Sequence, residues 1–222
     1  MNGPKEWTLR AMAGDARTLH SADLPPERAV WLMTPTRPAI VLGSSQPDDD
    51  VDVAFCSSRG LDVVRRRSGG GAVWVDPVAS VWVDVVIPAS DPLWLHDVGR
   101  AMHFVGQAWH DVLLVLGMND VFVNEGPHVA SDWSKQLCVA GRGTGEVFAA
   151  SGAKVVGISQ RRTRDFARFQ CIAYFAWNVE VHLGALPTLR TDPERVTGLV
   201  AAIPRIEPAT IAARLASVLP VG

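Results

Sequence analysis

The chain has 222 residues, 48% of them hydrophobic and 20% charged, with 21 basic and 23 acidic side chains and a formal charge of −2. Those proportions exclude a disordered chain, the length excludes a small domain that needs disulfide staples, and the charge balance gives no ground for nucleic acid or an anionic membrane as a partner. The three cysteines read as free thiols in a reducing compartment, and with no signal-peptide h-region and no run of 18 apolar residues the expectation is a soluble cytoplasmic protein.

In chain order, Ala29–Met33 and Ala39–Leu42 read as strands separated by the Pro35–Pro38 break. Asp62–Arg66 and Ala72–Val75 read as strands on either side of a glycine cluster, and Val81–Ile87 as another. From Asp97 to Leu116, Val98, Met102, Val105, Trp109, Val112, Leu113 and Leu116 recur at spacings of three and four, the mark of a helix with one apolar face. Asp97 suits its N-cap and Gly117 its stop. Strands are expected at Val121–Val123, Gln136–Ala140, Glu146–Ala149, Lys154–Ser159 and Phe169–Val181, with a hairpin turn at Ala150–Ala153. Helices are expected over Asp192–Ala202 and Ala209–Leu219, with Pro208 in a first turn. Strands with few helices between them, followed by helices, argue for an α+β fold on a mixed, largely antiparallel sheet with flanking helices.

The strongest local feature is Arg65-Arg66-Arg67-Ser68-Gly69-Gly70-Gly71-Ala72-Val73-Trp74. Three glycines let the backbone approach a ligand, and successive N–H groups in such a turn form an anion nest. Adjacent arginines add forked donors for phosphate or carboxylate. A plain glycine hairpin with solvated arginines is the competing reading. No Lys-Ser/Thr follows the glycines, so this is not a Walker A loop, and no helix follows, so it is not a dinucleotide fingerprint. Lys154 opens an apolar strand in Gly152-Ala-Lys154-Val-Val-Gly157-Ile-Ser-Gln160-Arg161-Arg162, and a lysine among apolar neighbours needs an anionic partner. Cys138 reads either as a small strand hydrophobe or as a nucleophile supported by a nearby cation, which Lys154 supplies if the two strands pair. Cys171 reads as structural. His96, His103 and His110 repeat every seven residues, but such steps lie roughly 10.5 Å apart on a helix, too far to share a metal. No metal-ligating set is expected, and no G-x-S-x-G nucleophile motif occurs.

Taken together, these motifs resemble the lipoate–protein ligase family, within the group that includes biotin–protein ligases. The resemblance spans roughly residues 30 to 180. It rests on Arg65 to Asp76 (R-R-x-S-G-G-G-A-V-aromatic-x-D), on Gly152 to Arg162, and on an upstream Val41-Leu42-Gly43-Ser44-Ser45-Gln46. It implies the biotin/lipoate ligase catalytic-domain fold, as one domain over residues 1–222 without a C-terminal accessory domain. It implies attachment of lipoate or octanoate to a lysine of a lipoyl domain, of a 2-oxoacid dehydrogenase complex or of the glycine cleavage H protein, with ATP and Mg²⁺ forming an acyl-adenylate. By resemblance Arg65, Arg66, Ser68, Gly69, Gly70, Gly71, Ala72, Val73, Trp74 and Gly157 would bind the nucleotide or acyl-adenylate, and Lys154 would be catalytic. The chain departs from the pattern at Val75, where the family has histidine, and at Pro77-Val78-Ala79-Ser80, where it has Gly-Asn. A branch of the same fold transfers octanoyl from acyl carrier protein without ATP, through a cysteine. Cys138, Glu146 and Lys154 resemble that layout, so Cys138 is the nucleophile of an alternative reading. A non-catalytic acyl- or nucleotide-binding relative is a second alternative, and a separate accessory subunit is a further expected partner.

Overall fold

The computed structural model describes residues 6–221. Its centre is a pair of nine-residue strands buried on both faces, β6 (Ser80–Pro88) and β10 (Phe166–Tyr174). Side chains alternate across a strand. Val81, Val83, Val85 and Ile87 of β6, with Ala167, Phe169, Cys171 and Ala173 of β10, therefore share one core. Trp82, Val86, Phe166, Ile172 and Tyr174 share the other. Around this pair a seven-stranded sheet runs in the order β1 (Thr8–Gly14), β2 (Ala29–Pro35), β6, β10, β9 (Lys154–Arg162), β8 (Val147–Ala149) and β7 (Val121–Val123). Only β1 and β2 pair in parallel; the other neighbours are antiparallel. A second sheet orders β4 (Asp62–Arg65), β3 (Ala39–Leu42) and β5 (Val73–Val75). This is a mixed α+β fold with a largely antiparallel sheet and flanking helices.

One core lies under α3 (His103–Val115) and α6 (Pro208–Val218), where Val105, Trp109, Val112, Leu113, Ile211 and Leu215 are buried. At roughly 1.5–3 kcal/mol for each large apolar side chain removed from water, this face anchors both helices. The other core lies between the two sheets, closed by α1 (Ala16–Ser21), α2 (Val53–Ser58) and α4 (Val179–Ala185). α3 stops where Gly117 adopts φ +85. Gly117 N–H then bonds Leu114 O and Met118 N–H bonds Leu113 O, which satisfies two orphan carbonyls. No helix among the described residues is long and apolar enough to cross a membrane.

Several expectations need correction. The strands flanking the glycine cluster do not form a hairpin: β3 lies between β4 and β5, so the loop crosses the end of β3. The strand expected at Gln136–Ala140 is a single bridge at Leu137 followed by a 3-10 turn over Cys138–Ala140. The helix expected from Asp97 begins with a 3-10 turn at Arg100–Met102. Beyond Tyr174 the expected strand gives way to α4, because Asn178 caps Val181 N–H at 3.1 Å. The helix over Asp192–Ala202 shrinks to α5 (Pro193–Thr197), capped by Asp192. From Val200 the chain leaves the helix and lies along β9, because Leu199 O and Ala201 N–H bond the backbone of Lys154, and Ile203 N–H bonds Tyr174 O. The short elements β1, α1 and α2 carry no periodicity that the sequence reveals.

Candidate active site

The glycine loop is held from inside by arginine. Arg66, 4% exposed, donates from Nη2 to Gly69 O at 2.8 Å and to Gly71 O at 2.9 Å. Arg65 donates from Nη1 to Gly43 O and Gln46 O, both at 2.6 Å, and from Nη2 to Asp48. The loop rests on the upstream motif so closely that a Cβ on Gly43 would stand 1.8 Å from Gly70 O. Gly70 itself has φ +93, a conformation suited to glycine. With the loop carbonyls of Gly69 and Gly71 drawn to Arg66, the amides of Gly69, Gly70 and Gly71 have no hydrogen-bond partner among the described residues. A row of free, fixed amides is a ready site for an anion.

The loop's far side packs on residues 136–138. A Cβ on Gly71 would lie 2.5 Å from Leu137 N. Ala72 N–H bonds Gln136 O at 2.8 Å, and Cys138 N–H bonds Ala72 O at 3.0 Å. Gln46 ties the same strip down, taking Gly43 N–H on Oε1 at 3.2 Å and donating to Gln136 O at 3.1 Å. The pairing brings Cys138 Sγ to 3.7 Å from the point where a Gly70 side chain would begin. Cys56 and Cys171 are fully buried, and burial pushes both thiols up, Cys56 to about 11. Of the three cysteines, Cys138 alone reaches the cleft.

Lys154 supplies the cation. It is 2% exposed, and its Nζ lies 2.7 Å from Glu146 Oε2 and donates to Cys138 O at 3.0 Å. Glu146, 3% exposed, also accepts from Gly143 N–H at 2.6 Å and Ile158 N–H at 3.1 Å. Each buried charge is thus paired and hydrogen-bonded, the condition under which burial is tolerated. An ammonium has three donors, so one remains for a substrate oxygen. Gly157 keeps this corner narrow: a Cβ there would be 3.6 Å from Glu146 Oε1 and 3.7 Å from Lys154 Cδ.

These groups line one cleft of about 400 Å³, bounded by Gly69–Gly71, Cys138, the 141–146 loop, Lys154 and Ser159. That is within the size range of small-molecule sites. Gly69, Gly70, Gly71, Cys138 and Lys154 thus come together. Arg65 and Arg66 act from behind the loop. Ser68 is buried, its Oγ without a partner. Ala72, Val73 and Trp74 run inward, Trp74 stacking on Tyr174 at 6.0 Å. His96 is exposed, while His103 and His110 are half-buried. Sequence reasoning missed Gly143, Thr144, His128 and Ser134 in the cleft wall. The glycine-rich run Gly141-Arg-Gly-Thr-Gly145 was the available signal for the first two.

A family model described as the lipoyl protein ligase A/B catalytic domain matches residues 8–218. Lipoate–protein ligase 1 of Staphylococcus aureus is 40% identical over 55 residues, which is 24% of this chain and only 17% of that protein. A bipartite lipoate protein ligase of Thermoplasma acidophilum, solved in a study with its E2 lipoyl domain, matches at a TM-score of 0.69 and 15% identity, over 96% of this chain and 82% of the other. A lipoate-protein ligase A bound with ATP matches at 0.63 and 16% identity, over 96% of this chain and 95% of the other. At these identities the structural likeness is one of fold.

Proposed function

Because the chain belongs to the lipoyl protein ligase A/B catalytic-domain family, we propose that it attaches lipoate or octanoate to one lysine of a lipoyl domain through an acyl-adenylate made from ATP. The observation that carries this reading is a buried ammonium, Lys154, sharing one cleft with three unpartnered loop amides. The acid's carboxylate attacks the α-phosphorus of ATP and pyrophosphate leaves. The acceptor lysine then attacks the acyl carbonyl and AMP leaves. Both steps build negative charge on oxygen, which preorganised amides and a fixed ammonium stabilise without reorganisation. Mg²⁺ arrives with the phosphates of ATP. Among the described residues the one carboxylate lining the cleft, Glu146, is already committed to Lys154 and two amides. The reading sets the protein in the cytoplasm, with a lipoyl domain of a 2-oxoacid dehydrogenase complex or the glycine cleavage H protein as acceptor.

The cleft position of Cys138 favours a second reading. Here its thiolate attacks an octanoyl thioester, the donor thiol leaves, and the acyl-enzyme passes its octanoyl group to the lipoyl lysine. The deciding experiment is the intact mass of a lipoyl domain incubated with the protein, octanoate or lipoate, and MgATP, with a parallel arm supplying octanoyl-acyl carrier protein and no ATP. Acyl gain in the first arm supports the ligase, and gain in the second alone supports the transferase. No gain in either, including with a candidate accessory subunit added, overturns both and leaves a binding relative.

A further inference from the structure

Beyond the glycine loop the cleft opens into an outer groove of about 810 Å³. Gly70, His128 and Ser134 line both spaces, so they frame the opening between them. A lysine carried by a second protein has to reach the cleft from outside, and this opening leads to the free loop amides. Asp50 and Asp132 line the groove on the approach and attract an incoming ammonium.

His128 is fixed at the opening by its backbone and left free at its ring. Val129 N–H bonds Arg142 O at 2.8 Å, and Arg142 N–H bonds Val129 O at 2.9 Å. On the other side of His128, Gly126 O accepts from Thr144 Oγ1 at 3.0 Å. The main chain is thus tied to the 141–146 loop both before and after this residue. The ring is exposed, and neither of its nitrogens has a hydrogen-bond partner among the described residues. Of the six histidines, His128 alone lines the cleft.

Its distance from the ammonium suits acyl transfer. His128 Nε2 lies 3.5 Å from the point where a Gly141 side chain would begin. Gly141 follows the 3-10 turn Cys138–Ala140, and the carbonyl of Cys138 holds Lys154 Nζ. Three residues of such a turn rise about 6 Å. A donor on the carbonyl oxygen and a base on the attacking nitrogen are separated by two hydrogen bonds and the O–C–N path, about 8 Å. Among the described residues, the titratable groups lining the cleft are His128, Cys138, Glu146 and Lys154. Glu146 is buried and already accepts from Lys154, Gly143 and Ile158. Lys154 is its cationic partner, and Cys138 carries the acyl group if the thioester route operates.

We propose that His128 is the general base that takes the proton from the acceptor lysine as its nitrogen attacks the acyl carbonyl. The inference rests on the ligase or transferase reading and names the proton acceptor that both require. The amine leaves its ammonium proton in solvent, because Lys154 repels a second cation in the cleft. Its nitrogen then bonds to the acyl carbon, and the carbonyl electron pair moves onto oxygen. His128 takes the nitrogen's surplus proton and passes it to solvent through its exposed edge. The carbonyl re-forms as the bond to AMP oxygen, or to Cys138 Sγ, breaks, and AMP or the thiolate leaves with that electron pair. Histidine suits this step because it gains and loses a proton near neutral pH.

The test compares two acceptors for the whole protein, a lipoyl domain and hydroxylamine, with MgATP and octanoate in one arm and octanoyl-acyl carrier protein in the other. Hydroxylamine is neutral at pH 7 and attacks without a positioned base. His128→Ala and His128→Gln are expected to acylate the lipoyl lysine roughly a hundredfold more slowly than wild type, within the range of a lost general base. Hydroxamate formation should stay within a few-fold of wild type, which a collapsed cleft would not allow. Added imidazole should restore lysine acylation to His128→Ala by about tenfold or more. Lysine acylation undiminished in both variants overturns this inference alone, and so does an equal loss with the two acceptors. A wild-type protein that yields neither hydroxamate nor acyl-lysine in either arm fails the acyl-transfer reading and takes this inference with it.

Discussion

Lys154 meets Cys138 through the main chain: its Nζ donates to the Cys138 carbonyl at 3.0 Å, while its charge is paired with Glu146 at 2.7 Å. The lysine therefore holds the 138–140 turn in place and offers the cleft a single remaining donor. The proposed catalytic role and the scaffolding role share one side chain, and substitutions at it have to separate the two.

Lys154→Ala is expected to abolish acyl transfer by either route and to lower stability by about 3–5 kcal/mol, because Glu146 stays buried without its cation. The double variant Lys154→Met with Glu146→Gln should recover much of the stability and none of the activity. Urea midpoints and acyl-transfer rates, measured side by side, check this. Full activity in Lys154→Ala would remove the site assignment.

Cys138→Ser is expected to leave ATP-dependent acylation of a lipoyl domain within a few-fold of wild type and to abolish transfer from octanoyl-acyl carrier protein. Trapping of an octanoyl adduct by mass spectrometry of the protein itself locates the acyl group if the thioester route operates. Thioester transfer that survives the substitution would end the acyl-enzyme reading.

Two glycines of the site should respond in opposite ways. Gly43→Ala places a Cβ 1.8 Å from Gly70 O, so backbone has to move. A loss of about 1–3 kcal/mol and of activity is expected. Gly69→Ala meets nothing within 4 Å and has no positive φ to relieve. Stability should change by about 0.5 kcal/mol or less. Equal effects of the two substitutions on the urea midpoint would show that the loop does not rest on Gly43.

Acid should destabilise the fold well above the carboxylate range. His20 and His182 are pushed by burial from 6.5 to about 3 and about 4. Below pH 6.5 the unfolded chain binds protons that the folded chain refuses, so stability falls as pH falls, by roughly 1.4 kcal/mol per pH unit for each histidine. The window closes near pH 4 for His182 and near pH 3 for His20. Unfolding midpoints at pH 7, 6 and 5 test the slope. His182→Phe should be less stable at pH 7 but lose about half of the slope between pH 6 and 5.

Some of this is legible in the sequence and the rest is not, for physical reasons. The face of α3 and its Gly117 stop are local signals, since helix period and a left-handed C′ residue are written in adjacent positions. The glycine loop and Lys154 are legible because unusual backbone and a buried cation demand particular residue types. The loop's arginines are legible as residues but not in their action, because nothing in the string Arg65-Arg66 says that the guanidiniums turn back onto carbonyls. The turn at Cys138 reads as a strand, since Leu-Cys-Val-Ala has the composition of one. Its conformation is set by a partner 66 residues earlier, Ala72. His20 sits on a six-residue helix without a spacing pattern, and only the packing of α1 against Trp82 buries its ring.

The crossing of the glycine loop over β3 bears on how the protein acquires its site. Arg65 reaches back 22 residues to Gly43, and Gln46 reaches forward 90 residues to Gln136. Closures of that span are entropically late events in folding, since distant segments have to meet before any contact rewards them. The cleft is therefore absent from any partly folded form that lacks the 136–138 strip, however much of the large sheet such a form contains. Ligand affinity and global stability become one linked quantity: any ligand bound in the cleft raises the midpoint of the whole unfolding transition by mass action. Heat-induced unfolding followed at increasing ligand concentration thus reports on binding even before any reaction is assayed.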